Sequence, residues 1–121
     1  MNKIQEMEML FGTKKPIIGM LHLKPLPGSP IYDGQGLGKV IETALKDAQA
    51  LVNGGVNALQ VENFNDPSYF PNEAPPETIS ALTIVAHEVR KSFPKIPIGI
   101  CLLADPEASI AVAHCSGAQY I

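Results

Sequence analysis

The stretch PIIGMLHLKPLPGSPIYDG, residues 16–34, joins a short apolar run, one histidine and a rigid loop. Residues 16–21 are apolar without polar alternation, which predicts a buried strand. His22 then stands at the carboxyl end of that strand. Residues 24–30 hold three prolines, which fix φ and lack an N–H, so a stiff, shaped loop is predicted. In parallel α/β folds, functional residues lie at this end of the strands.

The rest of the chain alternates between helix and strand patterns, which predicts a parallel sheet with crossover helices. Apolar residues spaced by three and four predict a helix over residues 37–52, ended by the glycines at 54 and 55. Residues 56–62 form the second predicted strand. The remaining expected elements are a helix after Pro75 and Pro76, a strand at 98–103, a helix capped by Asp105 with Ala108, Ala111, Val112 and Cys115 inward, and a strand from Ala118.

Three strand–helix units and the start of a fourth strand match the first half of a (β/α)8 TIM barrel, an α/β fold of about 250 residues. We therefore expect residues 1–121 to be the N-terminal half of a single barrel domain, truncated within it. Its two strand edges would lie unpaired, and the isolated chain would associate with itself. The alternative is a complete small open sheet, which would be a soluble, cooperatively unfolding monomer.

Composition narrows the classes of partner. The net charge of −3 and a pI near 5.5 argue against nucleic acid or an anionic membrane surface. No window resembles a membrane span, and Met1–Met9 lacks the apolar core of a signal peptide, so a cytoplasmic location is expected. Cys101 and Cys115 form no metal-type pair, and we expect two reduced, mostly buried thiols rather than a disulfide.

His22 and Glu62 are the candidate catalytic residues because they end neighbouring strands. A neutral imidazole there can act as general base, metal ligand or hydrogen-bond donor. A carboxylate at the end of a strand is costly to bury alone, which suits a base, a metal ligand or an acceptor for sugar hydroxyls. The alternatives are structural: a histidine bonded to a loop carbonyl, and a carboxylate that braces the exit loop.

Three further residues are candidates for substrate binding. Asn63 either contacts a ligand or caps its loop. Asp105 is also explained as a helix cap, and Asp33 as a turn residue before Gly34. His22, Glu62 and Asp105 together have the chemistry for a divalent cation, but three residues on three strands are a weak signal, so no metal and no specific cofactor is predicted. Cys101 is expected in the core, and two histidines fall on helices, His87 and His114.

Three segments of the chain resemble the BtpA family: GMLHLKPLPGSPIYDG at residues 19–34, DAQALVNGGVNALQVENFNDPSYF at 47–70, and Pro-Glu-Thr at 76–78. The resemblance runs over essentially the whole chain. It implies a TIM barrel related to phosphate-binding barrels and about twice this length. It also implies either a role in photosystem I biogenesis or, since relatives occur in organisms without photosynthesis, a more general enzymatic activity.

One segment departs from the pattern that the resemblance implies. Where the family pattern resembles Gly-Val-Asn-Val-Leu-Arg-Asn-Asp, this chain has residues 99–106, Gly-Ile-Cys-Leu-Leu-Ala-Asp-Pro. Ala104 thus replaces an arginine able to clamp a phosphate or carboxylate in a bidentate manner. Either the substrate differs or the site has lost activity.

These observations predict two functions. The first is an enzyme, a lyase, hydrolase or isomerase, that acts by acid–base chemistry on a small polar, phosphorylated or sugar-like molecule, with His22 as acid/base and Glu62 as base or substrate anchor. The second is a non-catalytic assembly factor for photosystem I biogenesis, in which the barrel is a binding scaffold.

Overall fold

The computed structural model describes residues 1–67 and 70–121 of the chain. Strands and helices alternate after an N-terminal helix, as the sequence predicted for residues 16–117. The helices are α1 (Lys3–Phe11), α2 (Gly38–Asn53), α3 (Pro76–Ser92) and α4 (Pro106–Ser116), and the strands are β1 (Ile18–His22), β2 (Ala58–Glu62) and β3 (Ile98–Cys101).

The three strands form a parallel sheet in the order β1-β2-β3. The chain then returns beside β3, where Tyr120 forms a parallel bridge with Gly99. The Gln119 N–H donates to the carbonyl of Ile98 at 2.8 Å, and the Ile100 N–H donates to the carbonyl of Tyr120 at 3.1 Å. The contact is an isolated bridge rather than a strand, so the fourth strand expected from Ala118 stays a prediction.

The two faces of the sheet differ, because α2, α3 and α4 pack on one of them. The alternating strand residues on that face are buried: Leu21, Leu59, Val61, Ile98 and Ile100. Gly19 lies on the same face, and a Cβ there would meet the side chain of Leu51 on α2 at 3.0 Å. The absence of a side chain at Gly19 therefore lets α2 approach the strand closely.

The expectation of a uniformly buried first strand is wrong. Burial in β1 alternates, with Ile18 and Met20 exposed at 37% and 39% and His22 exposed at the last position. These residues lie on the face opposite the helices. We call this the uncovered face because α2, α3 and α4 do not pack on it; it carries the side chains of Ile18, Met20, His22, Ala58, Gln60, Glu62 and Cys101. Its amino end is nevertheless buried at Ala58, which is 0% exposed.

Local signals mark the helix ends. Proline occupies the first turn of both α3 and α4, where a missing N–H removes no helical bond. At the end of α2 the left-handed residue is Gly55, with φ 89°, whereas Gly54 is right-handed. Gly117 ends α4 in the left-handed region with φ 78°.

The inner side of α4 differs from the prediction, since Ala111 and Cys115 are exposed while Ser109 and Ala113 are buried.

The N-terminal helix α1 was not predicted from the sequence. It begins with a capping box, in which Asn2 Oδ1 accepts from the Gln5 N–H and Gln5 Oε1 accepts from the Asn2 N–H, both at 2.9 Å. Gly12 ends it in the left-handed conformation with φ 72°. None of its residues is buried, although Ile4, Met7 and Phe11 have the spacing of an apolar helical face.

Both cysteines are free thiols. Cys101 is half-buried and Cys115 is exposed, which corrects the expectation of two mostly buried side chains. His87 on α3 and His114 on α4 are exposed. Across residues 1–67 and 70–121, no helix is both long enough and apolar enough to span a bilayer.

Candidate functional site

A row of three polar side chains crosses the uncovered face at the carboxyl ends of the strands. His22 on β1 pairs in register with Glu62 on β2, and Glu62 pairs with Cys101 on β3. Neighbouring strands lie about 4.8 Å apart, so these three residues are consecutive neighbours. The preceding row on the same face is Met20, Gln60 and Gly99. The two predicted catalytic residues are therefore brought together, and sequence reasoning missed Cys101 and Gln60 beside them.

The environment of Cys101 makes it a thiol rather than a thiolate. Burial raises its pKa, and the neighbouring Glu62 carboxylate raises it further. Because the thiolate is the reactive form of cysteine, a raised pKa argues against a nucleophilic role near neutral pH. Cys101 is half-buried on the uncovered face, so the expectation that it belongs to the core is wrong.

His22 is oriented by an aromatic neighbour. Its imidazole stacks on the ring of Phe64, with ring centroids 4.2 Å apart and planes inclined by 17°. Both residues are exposed, and the Phe64 side chain is 54% exposed. Sequence reasoning missed this role of Phe64, although its place two residues after Glu62 was a signal that it lies at the same strand end.

The side-chain polar atoms of His22 and Glu62 have no partner among the described residues. No hydrogen bond or ion pair there involves the imidazole nitrogens or the Glu62 carboxylate oxygens. Glu62 uses its backbone carbonyl, which accepts from the Leu23 N–H at 3.0 Å. Both side chains are thus available to a ligand that approaches the uncovered face.

Asn63 differs from its neighbours because it points into the protein, where it is 2% exposed. Its Oδ1 accepts from the Leu103 N–H at 2.8 Å, and its Nδ2 donates to Asp66 Oδ2 at 3.1 Å. Asp66, itself 4% exposed, accepts from the Leu26 N–H at 3.0 Å. Burial raises the pKa of Asp66, and the hydrogen bond from Leu26 opposes that effect. This network joins the loops that follow all three strands.

Asp105 lies at the end of the third strand–helix connection but is 6% exposed. Its carboxylate accepts from the N–H groups of Ala108 at 2.9 Å and Ala74 at 3.0 Å. These hydrogen bonds lower the pKa of the Asp105 carboxyl below its ordinary value. The carboxylate therefore caps α4 and also holds the loop before α3.

Asp33 lies apart from the row. It is exposed and accepts from the Gln35 N–H at 3.0 Å, as expected for a turn residue. It lines a cavity of about 290 Å³ that includes Lys24 and Lys39. His22 lines a different cavity, together with Met20 and Asp47. Asp33 is therefore not brought next to the predicted catalytic residues.

Ala104 occupies an unusual backbone conformation at the exit of β3. Its φ is 63°, in the left-handed region that alanine rarely adopts. It lines a cavity of about 310 Å³ with Gln60, Cys101 and Ile121, among others. The segment that differs from the resemblance pattern thus borders the row of polar side chains.

The described side chains supply no ready metal centre. Within residues 1–67 and 70–121, no group of three or more His, Cys, Asp and Glu side chains is placed to hold a metal ion. His22, Glu62 and Asp105 do not converge, since Asp105 is buried in its own hydrogen bonds. The arrangement is suited to proton transfer and hydrogen bonding by an imidazole and a carboxylate.

Several known proteins are similar to this chain in sequence. The profile of the BtpA family matches residues 13–121. An uncharacterized protein of Pyrococcus furiosus is 44% identical over 110 residues, covering 90% of this chain and 41% of that protein. The putative sgc region protein SgcQ of Escherichia coli is 38% identical over 113 residues, covering 93% and 41%.

The photosystem I biogenesis protein BtpA of Synechocystis is 38% identical over 112 residues, which is 92% of this chain and 38% of that protein. The chain thus spans about two fifths of the length of these curated relatives. No solved structure matches it.

Proposed function

Because the chain belongs to the BtpA family, we propose that it forms the first half of a (β/α)8 barrel whose strand ends bind a small polar molecule. The sheet order follows the chain order, and α2, α3 and α4 lie on one face. Both features suit a barrel, whereas a doubly wound sheet reverses strand order and carries helices on both faces. The uncovered face would then be the barrel interior.

The row His22, Glu62 and Cys101 carries the functional proposal. In barrels of this type the carboxyl ends of the strands are where catalysis occurs. His22 is the acid/base, because its imidazole is exposed and its ring is stacked on Phe64. Glu62 is the base or the anchor for substrate hydroxyls, because its carboxylate lies beside His22 and is free to accept. The reaction is acid–base chemistry of the lyase, hydrolase or isomerase type on a sugar-like or phosphorylated substrate.

Substrate contacts would be added by the residues around the row. Asn63 and Asp105 would act indirectly, because their buried hydrogen bonds hold the loops that follow the strands. Asp33 lines a separate cavity with two lysines, and it would reach a substrate only through an extended part of it.

The second candidate function is a non-catalytic scaffold. Similarity to the Synechocystis protein named for photosystem I biogenesis favours it. In that case the uncovered face and its surrounding loops would bind another protein, and neither the His22 imidazole nor the Glu62 carboxylate would be required.

Titration of the isotope-labelled chain with three probes tests the first proposal: glucose, glucose 6-phosphate and inorganic phosphate. We expect saturable NMR shifts at the strand ends with glucose 6-phosphate. His22→Ala and Glu62→Ala should each weaken that binding by about tenfold or more, the loss of one hydrogen bond to a charged group. His114→Ala and Glu42→Ala, at exposed helix positions, are matched controls.

The outcomes separate the two functions. Absence of saturable shifts with every probe, or shifts that survive both His22→Ala and Glu62→Ala, would overturn the acid–base proposal. If the two variants stay folded and keep a protein partner of the wild-type chain, the scaffold function is favoured.

A further inference from the structure

The stack of His22 on Phe64 is made by two exposed rings. Their centroids are 4.2 Å apart, yet the Phe64 side chain is 54% exposed. A phenyl ring with so much of its surface in water is not held in place by burial. Its position must come from the backbone that carries it.

That backbone is a tight turn, Asn63–Asp66, whose two ends are anchored inside the protein. Asn63 and Asp66 are 2% and 4% exposed. The Asp66 N–H donates to the Asn63 carbonyl at 3.1 Å, and Asn63 Nδ2 donates to Asp66 Oδ2 at 3.1 Å. The turn is therefore closed by one backbone and one side-chain hydrogen bond, with Phe64 between its anchors.

The turn is also tied to the loops on both sides of it. Asn63 Oδ1 accepts from the Leu103 N–H at 2.8 Å, after β3, and Asp66 Oδ1 accepts from the Leu26 N–H at 3.0 Å, after β1. Asn65 is exposed, but its Nδ2 donates to the carbonyl of Leu23 at 2.8 Å and reaches that of His22 at 3.4 Å. The same four residues thus hold the backbone of His22 and present a ring to its side chain.

We propose that Asn63 and Asp66 are positioning residues for His22, acting through the turn that sets Phe64 against its imidazole. The stack covers one face of the imidazole and restricts the plane of its ring. This inference rests on the proposed function, because it explains how the acid/base residue is oriented. Among the described residues neither Asn63 nor Asp66 forms a side-chain hydrogen bond with His22, and their side-chain polar atoms bind each other and the N–H groups of Leu103 and Leu26.

Proton NMR of the imidazole reports this geometry directly. A ring stacked on phenylalanine is shielded by the aromatic ring current, so the His22 carbon-bound protons should resonate upfield of those of His87 and His114. The chain has three histidines, and loss of a signal in His22→Gln assigns it. Phe64→Leu should remove the upfield shift, and Phe64→Tyr should retain it.

The roles of Asn63 and Asp66 are tested by exchanging their two side chains. Asn63→Asp alone places two carboxylates face to face. Asp66→Asn alone places two NH2 groups face to face, because the amide oxygens at both positions accept from the N–H groups of Leu103 and Leu26. Each single change therefore breaks the pair. The double change Asn63→Asp with Asp66→Asn restores it with the donor and acceptor reversed. The acceptors for the N–H groups of Leu103 and Leu26 are also kept, as an oxygen remains at each position.

We expect each single variant to lose the upfield shift of His22 and the double variant to regain it. A general loss of stability would not produce this pattern in variants that are folded by circular dichroism. An upfield shift that persists in Phe64→Leu, or in both single anchor variants, would overturn the proposal. No ligand is used, so failure of the glucose 6-phosphate titration and failure of this inference are separate results.

Discussion

The ring of Tyr120 occupies the space that a side chain on Gly99 would need. A Cβ at Gly99 would overlap the Cε2, Cζ and Cδ2 atoms of Tyr120. The Tyr120 hydroxyl donates to the carbonyl of Leu59 at 2.8 Å, and its ring meets that of Phe11 edge to face, with centroids 5.2 Å apart. Burial raises the pKa of Tyr120 to about 12. A glycine and a tyrosine thus join β3 to the chain that runs beside it.

Replacement of Gly99 by alanine should therefore be costly. Gly99→Ala forces the Tyr120 ring away from the sheet, and we expect the free energy of unfolding to fall by about 1–3 kcal/mol, as for overpacked cores. Urea denaturation measures it. In a Tyr120→Ala background the same change should cost much less, because the ring it displaces is gone.

Gly38→Ala is the matched control for this glycine. Gly38 begins α2, nothing lies within 4 Å of a Cβ placed there, and its φ is not positive. We expect no loss of stability and a gain of up to about 1 kcal/mol. If Gly38→Ala and Gly99→Ala changed the free energy of unfolding equally, displacement of the Tyr120 ring would not be the cause of the loss at Gly99.

Asp105 should stabilise the fold in a pH-dependent manner. Asp105→Ala removes the hydrogen bonds from Ala108 and Ala74, and we expect a loss of about 1–3 kcal/mol near neutral pH. The pKa of this carboxyl is lowered in the folded chain. The ionised Asp105 carboxylate therefore contributes its full stabilisation above the pKa that this carboxyl has in the unfolded chain. That stabilisation is lost as the pH falls through the pKa of the folded chain.

Urea denaturation from about pH 6 down to about pH 2 checks this, because the stabilities of wild type and Asp105→Ala should converge on acidification. Asp33→Ala, which removes one exposed turn hydrogen bond, should change stability by less than about 0.5 kcal/mol. If the difference in the free energy of unfolding between wild type and Asp105→Ala did not change with pH, the stabilisation would not depend on the ionised carboxylate.

Ala104→Gly should stabilise the chain. Ala104 has φ 63°, and the left-handed region costs an L-residue about 1–2 kcal/mol. After the greater flexibility of unfolded glycine is subtracted, we expect a gain of about 0.5–1 kcal/mol in thermal or urea unfolding. Ala111→Gly, at an exposed interior position of α4, should have the opposite sign and lose about 1 kcal/mol. The prediction fails if both changes destabilise the chain.

Among the described residues no strand pairs with the outer edge of β1, and we expect this edge to cause self-association of the chain. β1 is at the edge, and it exposes Ile18 and Met20 beside Ile17, which is 66% exposed. We expect sedimentation velocity to show dimers or larger species, and Met20→Lys to shift them toward monomer, because a charge on an edge strand opposes pairing.

Ile84→Lys is the control for this charge, since Ile84 is 49% exposed on α3, on the helical side of the molecule. It should leave the sedimentation unchanged. A wild-type chain that is monomeric at every concentration, or equal effects of the two lysines, would rule out association through the β1 edge.

The strand–helix order was predictable because several boundaries have a local signal. Pro76 and Asp105 mark helix starts, and Gly55 and Gly117 adopt positive φ at helix ends. Helix α1 also has such signals, with Asn2 and Gln5 as its capping box. It was missed because its apolar face is short: Ile4, Met7 and Phe11 have helical spacing, but charged residues stand between them.

The site was less predictable because much of it depends on contacts between distant residues. His22 and Glu62 could be paired from the strand ends alone, and the register places them side by side. The hydrogen bonds from Leu103 to Asn63 and from Leu26 to Asp66 each span 40 residues, and no local pattern predicts them. Cys101 is half-buried because it lies on the uncovered face, and an apolar strand sequence does not reveal which face is uncovered.

Helix α1 has its own start and stop signals, and none of its nine residues is buried. A helix of this length is marginal in water, and the ring contact of Phe11 with Tyr120 contributes only about 0.5–1.5 kcal/mol. We therefore expect α1 to open more readily than the strands and helices of the core. Such opening would release Phe11 from Tyr120 and leave the apolar residues between the sheet and α2, α3 and α4 in place.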